Sequence, residues 1–119
     1  NIMDLKIIAH LILLARKKGE QIIGYQQLCN ECKISLQMNN PADVQTLSES
    51  LTRISQSEHQ QGRPLLSAIV YDKNAGRPGK GFFAMAKDLK KYNGSDDEIK
   101  KIEFFAKELK DVYLFWQSH

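Results

Sequence analysis

The chain has 119 residues, 42% of them hydrophobic and 26% charged, with a formal net charge of +3. That length suits one domain able to bury a core without disulfide or metal staples. The composition is that of a soluble globular protein, and so mild a positive charge does not by itself point to nucleic acid.

Asn1 and Ile2 are expected to stand outside the fold, ahead of a native start at Met3. Residues 3–18 predict a helix with two apolar stripes, Leu5/Ile8/Ile12/Ala15 and Ile7/Leu11/Leu14, hence a helix buried on most sides. Arg16, Lys17 and Lys18 fall in its last turn, where cations suit the helix dipole, and Gly19 ends it. The run "IIAHLILLA" is broken by His10 and is roughly half the length a membrane span needs. It also lacks the flanks of a signal peptide, so no membrane partner is expected.

A very short strand over 21–23 follows, then a short helix over 25–32 that carries Leu28 inward. Cys29 and Cys32 sit in that helix as C-x-x-C. A zinc site needs about four ligands, and no second pair exists. A redox motif should open a helix after a strand. Structural thiols in a reducing cytoplasm, with no metal and no cofactor, are the expectation.

Asn40 as N-cap, Pro41 at the first helical position and Asp43 in the first turn mark the clearest helix start. Val44, Leu47, Leu51 and Ile54 form its inward row. Its outer face is Ser, Thr and Gln with Arg53, which suits a groove-reading helix and a solvated surface equally. Gly62 stops the helix, and "RPLLSAIVYD" predicts a strand with two apolar faces, Pro64 at its start.

The stretch "NAGRPGKG", residues 74–81, is a loop, with any returning strand confined to 79–82. Gly79 and Gly81 are expected to serve the turn, leaving Arg77 and Lys80 free. A nucleotide-binding P-loop needs G-x-x-x-x-G-K-[ST]; here Gly81 follows Lys80 and Asn74 stands where the first glycine belongs. From Phe82 the spacing is helical. A last helix begins with a capping box of Ser95 and Glu98. Ile99, Ile102, Phe105 or Ala106, Leu109, Val112 and Trp116 are its expected buried stripe.

The element order predicts an α+β, mostly helical fold. It has a winged-helix-like core, a small antiparallel sheet and two additional C-terminal helices. One domain over 1–119 is expected, with a core to residue 92 and the helix of 95–117 packed on it. In a winged helix the third helix enters the major groove and the loop contacts the backbone.

The runs "GYQQLCNECKI", "GRPLLSA", "PGKGFF" and "VYLFW" resemble a group of small, uncharacterised bacterial proteins, over nearly the whole chain. That resemblance implies no activity. "GYQQLC" is also distantly similar to the "TYGxLA" helix start in the winged-helix part of DNA alkyltransferases. Their reactive "PCHR" is absent, since neither Cys29 nor Cys32 is followed by His-Arg. That kinship implies a DNA-binding scaffold without alkyl transfer.

The leading functional expectation is non-catalytic binding of double-stranded DNA in a regulatory, mobile-element or phage-defence setting. Arg53, Lys73, Arg77 and Lys80 would make the contacts. The alternatives are a protein-interaction adaptor, or a homodimer, using the aromatic C-terminal helix, and an enzyme built on Glu58, Arg63 and Ser67. Those three fall at one helix-to-strand junction, where a Glu–Arg pair usually anchors a loop. Ser67 lies inside a strand, away from any nucleophile elbow.

Overall fold

Asn1 opens the first helix. Its side-chain oxygen accepts the Asp4 N–H at 2.7 Å, and α1 runs Ile2–Arg16. The first two residues are thus part of the fold, because the free N–H groups of a helix start need an acceptor. The computed structural model describes residues 1–119.

The order continues with β1 (Ile23–Gly24), α2 (Tyr25–Glu31), α3 (Pro41–Gln60), a 3₁₀ turn (Leu66–Ile69), β2 (Val70–Tyr71), α4 (Lys80–Asp88) and α5 (Glu98–Trp116). The fold is mostly helical, with a small two-stranded sheet and two extra C-terminal helices, in a winged-helix-like arrangement. β1 and β2 run parallel, with Ile23 opposite Val70 and Gly24 opposite Tyr71. The antiparallel pairing expected from the sequence is confined to a single bridge, Asp72 to Arg77. A parallel pair needs a crossover, which α2 and α3 provide.

Three expected strands change. The strand expected over "RPLLSAIVYD", residues 63–72, is a 3₁₀ turn at Leu66–Ile69 followed by two strand residues, Val70 and Tyr71. Leu65, Leu66, Ala68, Ile69 and Val70 are all buried. A run apolar on every side does not specify its own period. The strand at 79–82 is the start of α4. The first strand sits at Ile23–Gly24, slightly later than 21–23.

The core is one cluster to which every helix contributes. Burial differs from the expected stripes on two helices. On α1, Ile7, Leu11, Leu14 and Ala15 are buried, whereas Leu5 is 66% exposed and Leu13 53%. So α1 buries one face and not most of its circumference. On α5, Ile99 and Ile102 are exposed, and the buried row is Glu108, Val112, Tyr113 and Trp116. The N-cap of α5 is Asp97, whose carboxylate accepts the Ile99 N–H at 2.8 Å; Ser95 instead accepts the Asp97 N–H. The Ser95–Glu98 capping box does not form, because Glu98 turns away to Arg77.

On α3 the expected row holds for Leu47, Leu51 and Ile54, while Val44 is 39% exposed. No helix is long and apolar enough to cross a membrane.

Candidate nucleic-acid interface

The loop after β2 is built from its own sequence. The Asp72 carboxylate accepts the Asn74 N–H at 2.8 Å, and its carbonyl accepts the Gly76 N–H at 2.8 Å. The Asp72 N–H donates to the Arg77 carbonyl at 2.8 Å, closing the loop. Gly76 takes φ +70, the left-handed region that a side chain resists.

Gly79 and Gly81 serve close approach and not the turn. A Cβ on Gly79 would stand 2.9 Å from the Tyr25 hydroxyl, which itself accepts the Gly79 N–H. A Cβ on Gly81 would stand 3.0 Å from Ser48 Oγ. The glycines let the start of α4 lie against α2 and α3.

Between α3 and this loop with α4 lies an open groove of about 900 Å³. Gln45, Ser48, Thr52, Arg53 and Gln56 of α3 face it, with Arg77 and Lys80 on the other side. Glu49, Asp72 and Asp88 also line it, so its walls are mixed in charge. Three of the four cations singled out in the sequence therefore meet at one groove. Lys73 does not line it; its aliphatic stem lies over Gly24 at β1.

The four cations differ in freedom. Arg77 is not free: it donates Nε to Glu98 Oε2 at 2.6 Å and Nη2 to Glu98 Oε1 at 2.9 Å. It also donates to the Pro78 carbonyl and lies 5.3 Å from the centre of the Phe83 ring. Its hydrogen bonds to Glu98 push its pKa up, and they hold the Glu98 carboxyl below the usual range. Arg53 makes a two-pronged pair with Asp4, at 2.9 and 3.0 Å, and Ser50 donates to the same carboxylate. The Arg53 hydrogen bonds hold Asp4 below the usual carboxylate range. Lys73 and Lys80 are exposed and form no ion pair.

The junction of Glu58, Arg63 and Ser67 separates into two units. Arg63 donates twice to Glu58 Oε2, at 3.0 and 2.6 Å, and lies 5.8 Å from the centre of the Trp116 ring. Ser67 is held by Ser55: their hydroxyls lie 2.6 Å apart, and Ser55 Oγ accepts the Ser67 N–H at 3.0 Å. Ser55 stands beside Ile54 in the helix-end run "IS", but it was not grouped with Glu58, Arg63 and Ser67; its place on the inward row four residues after Leu51 was the available signal. Nothing local in the sequence marks Glu108, a buried carboxylate that accepts the Leu65 N–H at 2.7 Å and a hydrogen bond from Lys91 Nζ at 2.6 Å.

Cys29 and Cys32 are unpaired thiols in the core. Burial raises both pKa values, that of Cys32 to about 11, which favours the protonated thiol at both positions. No group of three or more His, Cys, Asp or Glu side chains is arranged to hold a metal. No protein-family model matches the chain, and no curated protein and no solved structure matches it either.

Proposed function

We propose that the chain is a non-catalytic DNA-binding protein of the winged-helix type, acting in a regulatory, mobile-element or phage-defence setting. The observation that carries this reading is the placement of α3 beside the loop of 72–79, with both bordering one open groove. Gln45 and Thr46 are exposed in the first turns of α3, where a reading helix presents its side chains. Lys73 and Lys80 are the cations available to phosphates. Arg53 sits at the rim, where an approaching phosphate competes with Asp4 for its exposed guanidinium. Arg77 is a positioning residue that holds the loop for its neighbours.

The adaptor reading through "VYLFW" has less support, because Val112, Tyr113 and Trp116 are spent on the core. A hydrolytic reading of Ser67 has less still, since its hydroxyl meets another serine and no base.

The test is fluorescence anisotropy of a labelled duplex at low salt, comparing wild type with Gln45→Glu/Thr46→Glu. Both side chains are exposed; Thr46 gives up only the hydrogen bond from its hydroxyl to the Ala42 carbonyl at 3.0 Å, and circular dichroism checks that the double variant is folded. Weaker binding by the double variant supports the reading; equal binding by both removes α3 from the interface.

A further inference from the structure

The exposed face of α5 carries apolar side chains that nothing in the chain covers. Ile99 is 69% exposed, Ile102 49% and Leu114 59%. Ile99, Glu103, Ala106, Lys110 and Leu114 follow one another at three- and four-residue steps, so they share a single face. All five are exposed. The opposite face, with Glu108, Val112 and Trp116, is buried in the core.

We propose that this face is the contact surface for a second copy of the chain, packed antiparallel about a twofold axis beside Ala106. The pattern is self-complementary about a point between that residue and Lys107, from which Ile99 and Leu114, and Glu103 and Lys110, are equidistant. Antiparallel pairing centred there sets Ile99 against Leu114 of the second copy, and Glu103 against Lys110 of the second copy. Twofold symmetry makes each pairing twice. Ala106 beside the axis is small enough to let the helices approach closely.

The charges also select the register. Moving the axis one turn toward the N-terminus sets Glu103 against Glu103; one turn toward the C-terminus sets Lys110 against Lys110. Both shifts replace attraction by repulsion, which excludes the wrong alignments. Lys107 already pairs with Asp111 at 3.0 Å on the flank and is not needed. From Ile99 to Leu114 the face is about 22 Å long at 1.5 Å per residue. One helix face per copy is small for a stable interface, so the dimer is concentration-dependent. This surface is distinct from the groove between α3 and α4 and does not depend on the DNA reading.

The experiment is sedimentation equilibrium over a wide concentration range, with circular dichroism to confirm that each variant is folded. Wild type approaches twice 13.6 kDa as concentration rises. Glu103→Lys and Lys110→Glu each weaken association on the order of tenfold, because each turns two attractive contacts repulsive. The double variant Glu103→Lys/Lys110→Glu restores it. An Ala106→Cys variant forms an intermolecular disulfide under mild oxidation, without competition from the buried Cys29 and Cys32. A chain that stays monomeric throughout, or a dimer indifferent to both single reversals and to their combination, overturns the proposal.

Discussion

Arg77 and Glu98 join the loop after β2 to the first turn of α5 through two parallel hydrogen bonds of 2.6 and 2.9 Å. The arginine's side chain is only 15% exposed, although the loop it belongs to runs along the surface. A residue that looks like the free cation of a glycine-rich loop is the strut that fixes that loop. Lys80, three residues on, is left exposed beside it.

Loosening the strut should loosen the loop and little else. Glu98→Gln and Arg77→Lys each break the fork-to-fork geometry, and lysine cannot rebuild it. Amide exchange at 74–79 should quicken several-fold in both variants, while α3 and α5 keep wild-type protection. Unchanged exchange in the loop would mean that the Asp72 turn holds it alone.

The Ser55–Ser67 pair predicts an asymmetry. Ser55→Ala leaves the buried Ser67 N–H without its acceptor, whereas Ser67→Ala leaves that bond in place. An orphaned buried donor costs about 1–3 kcal/mol. Chemical denaturation should therefore show Ser55→Ala clearly less stable than Ser67→Ala. Equal losses would mean that the hydroxyl–hydroxyl contact, and not the backbone bond, is what matters.

Alkaline stability turns on Tyr113. Its hydroxyl donates to the Gln21 carbonyl at 2.5 Å, and burial pushes its pKa up to about 12. An unfolded tyrosine ionises near 10. The folded state thus keeps a proton that the unfolded state loses, and stability falls as pH rises from about 10 to about 12. Burial raises the pKa of Tyr25 as well, in the same direction. Tyr113→Phe should lose about 1 kcal/mol at neutral pH and show a shallower alkaline decline. A decline of wild-type steepness in Tyr113→Phe would assign it to other groups.

Buried thiols with raised pKa values are slow nucleophiles. At pH 8 Cys29 and Cys32 should react with an aromatic disulfide reagent only as fast as the protein opens, and both should react at once in denaturant. Rapid native labelling of either would place it at the surface.

The helices were legible in the sequence where caps and period agreed. Asn40–Pro41 marks α3 because its cap and its inward row point to the same boundaries. Where one signal stands alone, the element is underdetermined. "LLSAIVY" is apolar on every side, and burial without period gives 3₁₀ turn and strand alike. Ile99 and Ile102 have the spacing of a core row, but spacing does not say whether another element lies opposite. The groove was half legible: composition located the cations of 73–80, but ion pairing is a tertiary fact. Glu98 lies 21 residues beyond Arg77. No local pattern separates that arginine from Lys80.

The proposed grip of α3 and the neighbouring loop on duplex DNA is tested by the salt dependence of binding for wild type and for Lys73→Ala/Lys80→Ala. Each contacted phosphate contributes a slope of roughly −0.9 in log K against log salt. Wild type should bind measurably at low salt, and the double variant should show a slope shallower by about 1.8, one phosphate contact per lysine. No binding at low salt, or an identical slope in the two proteins, would contradict it.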